Sequence, residues 1–354
     1  MSLRGNKGEW SEIYALLKVL ADGKLYGADA DLNKIQSLYY NILEVIRMEK
    51  DKPQYHYQRN DVDIVIVDED NRELLRRNVT EFETQAKNLF TEIQNITGTS
   101  KNTIPIFDDF LESIKITSLK APSSTKSDIT IQIHDVYTGA KPVLEFSIKS
   151  QLGSPSTLLN ASRATNLVFK LVSPLSDTEI KKINELSSPG EKIKQIESTS
   201  KLEFDCCSNE IFSRNLRMID SNMPKIIANL VYLANKNKKW SIEDLVSSDL
   251  DEDKDERELI EYKVKQLLVS AALGMMPSSK WDGYDEATGG YIVVKTTGDL
   301  VCYHLYNRNA LKDFLFKNTK FENGSQTRHG FGEIYIGNDG NQYFNLNLQI
   351  RFKK

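Results

Sequence analysis

Residues 127–153, SDITIQIHDVYTGAKPVLEFSIKSQLG, constrain the fold of this chain more than any other stretch. Two runs of alternating apolar and polar residues flank a Thr-Gly turn, which is the pattern of a β-hairpin with one buried face. Ile129, Ile131 and Ile133 share a face on the first strand, and Phe146 and Ile148 mark the matching face of the second. The pattern therefore predicts a sheet that is covered on one side.

The polar face of this hairpin carries Asp128, Glu145, Ser147, Lys149 and Gln151. A divalent cation that polarises a phosphoryl group needs hard oxygen ligands, and a nearby lysine can orient or help to deprotonate the attacking water. An aspartate at the head of one strand and a lysine near the end of the next therefore indicate a metal-dependent nuclease. The acid expected two residues before the lysine is absent, because Ser147 occupies its position. A solvated polar face without chemistry would have the same composition.

A second metal-binding acid has three candidates. Glu145 lies about 13 Å along the strand from Lys149, at roughly 3.3 Å per residue. Residues 8–22 have helical periodicity, and at about 100° per residue Glu9 falls inside the apolar stripe and Glu12 at its edge. A carboxylate on that side is costly unless it is paired or binds a metal, although one in the first turn can interact with the helix dipole instead. We expect Glu9, Glu12 or both to join Asp128.

The remaining pattern predicts an α/β protein with a mixed central sheet flanked by helices. Helices are predicted over 31–49 and 73–97, a strand over 61–70, and a further helix start near residue 155, followed by a strand. Residues 1–175 form the expected catalytic nuclease core with N-terminal helices. Residues 176–275 form a mainly helical region. Residues 276–354 form a β-rich C-terminal region that is expected to contact DNA.

Composition narrows the class of protein. No apolar run approaches the roughly 20 residues of a membrane span, and the polar N-terminus has no signal-peptide core, so we expect a cytoplasmic protein. The three cysteines and four histidines lack zinc-site spacing. The formal charge is −4, but residues 241–261 contain ten acidic and two basic residues. The rest of the chain is therefore net basic, and local basic surfaces are compatible with DNA binding.

Two groups of polar residues are candidates for DNA contact, since arginine, amide and hydroxyl side chains contact phosphates and base edges. The loop GSPSTLLNASR, residues 153–163, is expected to lie beside the DNA backbone that is cut. Its candidates are Ser156, Thr157, Asn160 and Arg163. The C-terminal candidates are Arg308, Arg328 and His329, from basic and amide-rich stretches.

Six blocks give the chain a resemblance to a known family. They are NKGEWSEIY (6–14), KSDITIQIHD (126–135), FSIKSQLGSPSTLLNAS (146–162), NLRMIDS (215–221), WDGYDEATGGYIVV (281–294) and LNLQIRF (346–352). In these blocks the chain resembles the HpaII-type restriction endonucleases, type II enzymes of the PD-(D/E)XK nuclease superfamily. The resemblance implies a Mg²⁺-dependent enzyme that cuts duplex DNA at CCGG, leaves 5′-phosphates and works with a protective DNA methyltransferase.

The resemblance also implies roles for individual residues. Asp128 matches the metal-binding aspartate of the superfamily and Lys149 its catalytic lysine. Gln151, on the same polar face, is expected to help orient water or phosphate. Ser127 replaces the usual proline before the aspartate, and Ser147 replaces the usual acid of the triplet. Ser147 could then contribute to the metal site only through its backbone carbonyl or through a water molecule. A palindromic target favours two active sites, as in a homodimer. A structure-specific repair nuclease on the same core and a non-catalytic DNA-binding protein remain the alternatives.

Overall fold

The computed structural model describes residues 2–49, 54–98, 100–120, 127–250, 252–285, 288–304 and 308–353. Within these ranges, none of the helices combines the length and the apolar character that a membrane span requires.

Eleven α-helices lie in the part of the chain that the structure describes. They are α1 (Lys7–Asp22), α2 (Val79–Asn95), α3 (Asp108–Ser113), α4 (Asp177–Asn184), α5 (Pro189–Glu197), α6 (Glu210–Ile219), α7 (Met223–Asn237), α8 (Ile242–Asp244), α9 (Lys254–Ala272), α10 (Arg308–Asn318) and α11 (Gln326–His329). Short 3₁₀ turns cover Pro105–Phe107 and Arg163–Thr165, and a π-helical turn covers Leu245–Asp249.

The same ranges contain eighteen strands. They are β1 (Arg4–Gly5), β2 (Lys24–Ala28), β3 (Lys34–Met48), β4 (Gln54–Arg59), β5 (Asp63–Val67), β6 (Glu73–Asn78), β7 (Asn102–Thr103), β8 (Ile129–Asp135), β9 (Val143–Ser150), β10 (Thr157–Leu159), β11 (Asn166–Leu171), β12 (Leu202–Cys207), β13 (Gly290–Val294), β14 (Leu300–His304), β15 (Thr319–Phe321), β16 (Ile334–Ile336), β17 (Gln342–Asn347) and β18 (Ile350–Phe352).

The chain divides into two compact units, and each is drawn from two stretches of sequence. The first unit contains the described residues within 1–156 and 286–311, and the second those within 157–285 and 312–353. The predicted regions, divided at residues 175 and 275, are each continuous in sequence. The two units instead each combine separate stretches of sequence that contact each other.

A nine-stranded mixed sheet forms the centre of the first unit, in the order β2-β14-β13-β9-β8-β3-β4-β5-β6. The pairs β9–β13 and β2–β14 are parallel, and the other neighbours are antiparallel. β2 also pairs with the first half of β3, so the six strands from β2 to β3 form a closed ring of pairings. The predicted mixed sheet flanked by helices is confirmed.

The hairpin of residues 127–153 is confirmed as β8 and β9, with Ile129 opposite Phe146. Its apolar residues are buried, and they join α1, α2 and α3 in one hydrophobic core. Burying a large apolar side chain contributes roughly 1.5–3 kcal/mol, so this face fixes the register of the hairpin. The polar residues that alternate with them lie on the other face.

Helix α1 has a capping residue at each end, Asn6 before its first turn and Gly23 after its last. Asn6 is the N-cap: its side chain accepts the Glu9 N–H, and the Glu9 carboxylate accepts the Asn6 N–H. Gly23 ends the helix with φ 65°, a left-handed conformation that glycine adopts without strain. The apolar stripe of α1, which includes the fully buried Trp10, Leu17 and Leu20, packs onto the sheet.

The helix predicted over residues 31–49 is wrong, because this stretch forms the long strand β3. Its register against β8 shifts between Ile42 and Glu44, and the buried positions run Tyr40, Ile42, Val45 and Arg47. The bulge inserts one extra residue, so the step from Ile42 to Val45 is three residues long and imitates helical spacing. The β-branched and aromatic residues of the stretch are typical of a strand.

Two other helix predictions need correction. Residues 73–78 of the predicted helix 73–97 form strand β6, and the helix itself begins at Val79 after the N-cap Asn78. Near residue 155 the chain forms the short strand β10 instead of a helix start, and β11 then follows as predicted.

The second unit contains two small antiparallel sheets, in the orders β12-β11-β17-β16 and β10-β18-β15. Residues 176–275 contain six of the helices and the strand β12, which agrees with their mainly helical pattern. The turn at residues 337–341 connects β16 to β17.

Candidate active site

The polar end of the hairpin is organised around Asp128, one residue before β8. Its Oδ2 accepts hydrogen bonds from the backbone N–H of Ile148 at 2.7 Å and from Ser147 Oγ at 3.2 Å. No described residue donates a hydrogen bond to Oδ1. Ser147, at the position of the missing acid, thus orients an aspartate, and one carboxylate oxygen stays available to a ligand.

Lys149 lies on the same face, two residues further along β9. Its Nζ makes no hydrogen bond or ion pair with any residue that the structure describes, and it lies 5.1 Å from the ring centroid of Tyr291. Burial lowers the pKa of Lys149, and the charges of Asp128 and Glu12 oppose that shift. The lysine is therefore held within range of the charges of two carboxylates, in surroundings where its proton is lost more easily than from an exposed lysine.

Glu12 brings the second carboxylate from helix α1. Burial and the charge of Asp128 raise the pKa of this residue, the charges of Lys120 and Arg47 oppose the rise, and the net pKa is about 8. Its carboxylate has no hydrogen bond or ion pair with any described residue. A partly buried, unpaired carboxylate is costly, and a bound cation would remove that cost.

Glu9, three residues earlier on the same helix, is fully engaged with protein groups. It is 5 % exposed, completes the capping box with Asn6, and pairs with Lys120 at 2.9 Å and Lys101 at 3.5 Å. Burial would raise the pKa of Glu9, but the hydrogen bonds from Lys120 and Asn6 and the two lysine charges bring it below its ordinary value. Glu9 therefore anchors lysines and shapes the helix start.

A cleft of about 300 Å³ opens beside these groups. Its lining includes Glu9, Glu12, Lys120, Ile148 and Ser156. The hydrogen bond to Glu9 raises the pKa of Lys120 against the effect of burial, and the charges of Glu12 and Asp128 act in the same direction. One exposed ammonium group therefore interacts with all three carboxylates at the mouth of the cleft.

The other two candidates of the hairpin, Glu145 on β9 and Gln151 just after it, have different surroundings. Glu145 lines a separate cavity of about 250 Å³ that Asp128 also reaches. Glu145 is not among the charges that shift the pKa of Lys149, whereas Asp128 and Glu12 are. Gln151 is exposed, and its Oε1 accepts the Thr296 N–H at 3.3 Å. The structure therefore groups Asp128, Lys149 and Glu12, with Ser147 as the support of Asp128.

These residues fit a hard divalent cation that keeps much of its water. The described ranges hold no group of three or more His, Cys, Asp or Glu side chains that could bind a metal ion. Mg²⁺ is commonly held by one or two carboxylates and completes its octahedron with water and substrate phosphate. Asp128 Oδ1 and the unpaired Glu12 carboxylate supply that donor set.

The seven candidates for DNA contact are divided between the two units. Ser156 lines the cleft with Glu12, and Arg308 is exposed in the first unit. The other five, which belong to the second unit, are Thr157, Asn160, Arg163, Arg328 and His329.

Within the second unit these five differ in exposure. Asn160, Arg163 and Arg328 are exposed. The Oγ1 of Thr157 accepts from Arg351 at 3.3 Å, and the partly buried His329 offers its backbone carbonyl to Asn166.

Sequence reasoning missed two residues at the site. Tyr291 comes from β13, about 140 residues after Lys149, and only the parallel pairing of β9 with β13 brings it there. Lys120 lies in a loop without periodicity. The Gly-Gly pair before Tyr291 was an available signal, because paired glycines in a strand pattern indicate a close approach of backbones.

Comparisons with known proteins give one consistent result. The sequence model described as the HpaII restriction endonuclease matches residues 6–352. The chain is 45 % identical to "Type II restriction enzyme HpaII" of Haemophilus parainfluenzae, over 98 % of this chain and 98 % of that protein. No solved structure matches the chain.

Proposed function

We propose that this chain, which belongs to the HpaII restriction endonuclease family, hydrolyses phosphodiester bonds in double-stranded DNA at a short palindromic site. The proposed target is CCGG, the products carry 5′-phosphates, and Mg²⁺ is the cofactor. One observation carries the metal-dependent part of the proposal. The half-buried Glu12 carboxylate interacts with the charges of Asp128 and Lys149, and it has no hydrogen bond or ion pair with any described residue.

Each residue of the site has a distinct proposed role. Asp128 and Glu12 hold the cation, which when bound polarises the phosphoryl group and acidifies water. Lys149 orients the attacking water and, once it has lost its own proton, accepts one from that water; burial lowers its pKa and so eases that loss. Ser147 holds Asp128 in place through its hydroxyl, and Gln151 orients water or phosphate.

This arrangement supports a variant PD-(D/E)XK core. The aspartate precedes one strand of a mixed sheet, the lysine lies on the next, and Ser147 replaces the acid between them. Glu12 from α1 replaces the missing acid as a metal ligand, and Glu9, the other helix candidate, is occupied by two lysines.

DNA contact is proposed for both candidate groups. Ser156 at the cleft, with Thr157, Asn160 and Arg163 after it, contacts the backbone that is cut. Arg308, Arg328 and His329 act from the β-rich C-terminal region, residues 276–354. A palindromic site suits a homodimer with two active sites. The enzyme is proposed to act in the cytoplasm, where a DNA methyltransferase of the same target protects the host.

The test is digestion of a plasmid of known sequence in the presence of Mg²⁺. The wild-type protein is expected to give discrete bands that correspond to CCGG positions. Lys149→Ala and Glu12→Gln are expected to lower the single-turnover cleavage rate by about 10²–10⁴-fold, while the affinity for a CCGG duplex in EDTA stays within about threefold. A smear of fragments would instead indicate a nuclease without a sequence target.

Two matched acids serve as controls for the metal ligand. Glu145→Gln removes a carboxylate from the same strand as Lys149 and is expected to keep most of the activity. Glu9→Gln releases Lys101 and Lys120 and is expected to weaken DNA cleavage less than Glu12→Gln does. If Glu145→Gln is inactive and Glu12→Gln active, the second metal ligand lies on the strand and the proposed site is wrong.

A further inference from the structure

Tyr291 forms the surface against which Lys149 rests. The Lys149 Nζ lies 5.1 Å from the centroid of the Tyr291 ring, which is 2 % exposed. Among the described residues, this ring is the one group that the lysine ammonium contacts through a specific polar or cation–π interaction. The position of the proposed catalytic amine therefore depends on an aromatic face.

The sequence around Tyr291 explains how the ring reaches this place. In the parallel pair of β9 and β13, Tyr291 lies opposite Ser147 and Val293 opposite Lys149. Residues opposite each other in a parallel pair share a face, so the ring and the lysine lie on the same side of the sheet. The ring is therefore placed by the strand register.

Two glycines allow this close pairing. The Gly289 N–H donates to the Glu145 carbonyl at 2.8 Å, and a Cβ on Gly289 would lie 2.5 Å from that oxygen. Gly290 has φ 100°, and a Cβ there would lie 2.0 Å from the Tyr303 carbonyl oxygen. Any larger residue at either position would push β13 away from its neighbours.

A lysine side chain needs such a support to act at one defined point. It has four rotatable bonds, and a lysine without partners samples many rotamers, which dilutes the conformers that reach a reacting water. An aromatic face attracts a cation, excludes water and also packs against the methylene stem. Val293, which lies directly opposite Lys149 in the strand register, has no aromatic face to offer.

We infer that Tyr291 is a positioning residue, whose ring holds the Lys149 amine toward Asp128 and Glu12. This inference rests on the proposed function, since it assigns Tyr291 a role through the proposed catalytic lysine. The ring supplies the effect, so phenylalanine should replace tyrosine and an aliphatic residue should not.

Cleavage kinetics test the role in the reaction. Tyr291→Phe is expected to stay within about threefold of the wild-type single-turnover rate. Tyr291→Leu is expected to lower that rate by roughly 3- to 30-fold, the range that a cation–π contact of this kind supports, with duplex affinity in EDTA unchanged. Equal rates for leucine and tyrosine, or an equally large loss for phenylalanine, would overturn the inference.

A spectroscopic measurement tests the contact without any activity. In protein with ¹³C-labelled lysine, the Cε–H signal of Lys149, assigned by its loss in Lys149→Ala, is expected to be shifted upfield by the ring current of Tyr291. The shift should persist in Tyr291→Phe and disappear in Tyr291→Leu. A normal wild-type shift contradicts the inference. If the leucine variant does not fold, as judged by circular dichroism, Tyr291→Met takes its place.

The two failures can be told apart. If Lys149→Ala cleaves like the wild type, the proposed function of the site is wrong, whatever Tyr291 does. If Lys149→Ala is inactive while the folded Tyr291→Leu protein cleaves at the wild-type rate, the site stands and the positioning role of Tyr291 is wrong.

Discussion

Glu9 and Glu12 lie three residues apart on one helix, and their surroundings give them different chemistry. Glu9 is surrounded by donors: Asn6, Lys101 and Lys120 all contact its carboxylate. Glu12 is half-buried and close enough to Asp128 for that charge to raise its pKa, and it has no partner among the described residues. The partners of Glu9 therefore favour its ionised form, and in the proposed site Glu12 would give up its proton when a metal ion binds.

The raised pKa of Glu12 predicts how stability depends on pH in the absence of metal. The carboxyl ionises near its ordinary value of 4.5 in the unfolded chain and near 8 in the folded protein. Between these values the folded state holds a proton that the unfolded state lacks, so the free energy of unfolding falls as pH rises from 4.5 to 8. Glu12→Gln, always neutral, should unfold in EDTA at pH 8.5 with a free energy higher than wild type by on the order of 1–2 kcal/mol.

Urea denaturation in EDTA at pH 4.5 and 8.5 checks this prediction. The variant and the wild type are expected to differ little at pH 4.5, and Glu145→Gln should show no gain at pH 8.5. Added Mg²⁺ should reverse the order, because an ion that binds only the folded wild type stabilises it. A variant that is less stable than wild type at pH 8.5 in EDTA would show that the Glu12 carboxylate is favourably solvated or paired.

The sequence predicted the face that Asp128 and Lys149 share, because strand alternation alone decides it. The sequence could not show which glutamate is free to bind a metal. A helical wheel shows which side of the helix a residue faces, but not which hydrogen-bond donors surround it. The wheel placed Glu9 deepest, and Glu9 is indeed buried at 5 % exposure. The capping-box spacing of Asn6 and Glu9 was the signal that Glu9 already had a partner.

At the scale of elements, helix α1 and strand β9 are linked by one polar contact next to the site. The Ser11 Oγ lies 2.8 Å from the Ser150 Oγ and also donates to the Lys7 carbonyl at 2.7 Å. Ser11 is fully buried and adjoins Glu12, and Ser150 adjoins Lys149. This hydroxyl pair therefore fixes the separation of the helix carboxylate from the strand lysine.

Ser11→Ala is predicted to affect activity more than a typical hydroxyl deletion does. Loss of the contact should lower the free energy of unfolding by about 1 kcal/mol, the usual effect of one hydrogen bond. It should also lower the single-turnover cleavage rate by roughly tenfold, with duplex affinity unchanged. The reason is that the distance between the Glu12 carboxylate and the Lys149 amine is no longer fixed by this contact.

Ser113→Ala is the matched control, since its hydroxyl donates to the Phe110 carbonyl within helix α3. It should lower stability by a similar amount and leave the cleavage rate unchanged. Equal rates for Ser11→Ala and the wild type would show that apolar packing alone sets the distance between α1 and β9.

The secondary-structure prediction failed where the pairing of a strand with its neighbours outweighed the apolar spacing of its own sequence. The stretch that became β3 has apolar residues at helix-like spacing, because its bulge adds a residue between two alternating runs. β3 pairs with β2, β4 and β8, and these pairings supply the hydrogen bonds that decide its conformation. A bulge depends on the partner strand, so the sequence of β3 alone could not show it.

At the scale of the whole molecule, the first unit is completed by a late segment. β9 pairs on one side with β8 and on the other with β13, about 140 residues later in the chain. Parallel pairing across such a distance leaves no local signature, since the connection lies outside any sequence window. The fold class was therefore predictable, while the membership of each unit was not.

A fragment of residues 1–156 is predicted not to fold into an active unit. It lacks β13 and β14, so the polar strand β9 has an open edge and Lys149 lacks the ring of Tyr291. Circular dichroism and size-exclusion chromatography should show a poorly folded or aggregated fragment that does not cleave CCGG plasmid. The full chain prepared in the same way is the control, and a monomeric, cooperatively unfolding fragment would contradict the prediction.

Because β13 lies far after β9 in the sequence, the ribosome makes β9 well before the strand that pairs with it. A ribosome that adds roughly 5–20 residues per second needs on the order of 10–30 s to travel from β9 to β13. For that interval the nascent chain displays the lysine and both carboxylates without the strand that organises them. We therefore expect nascent chains, and products that terminate before β13, to lack DNA-cleaving activity until nearly the whole polypeptide exists.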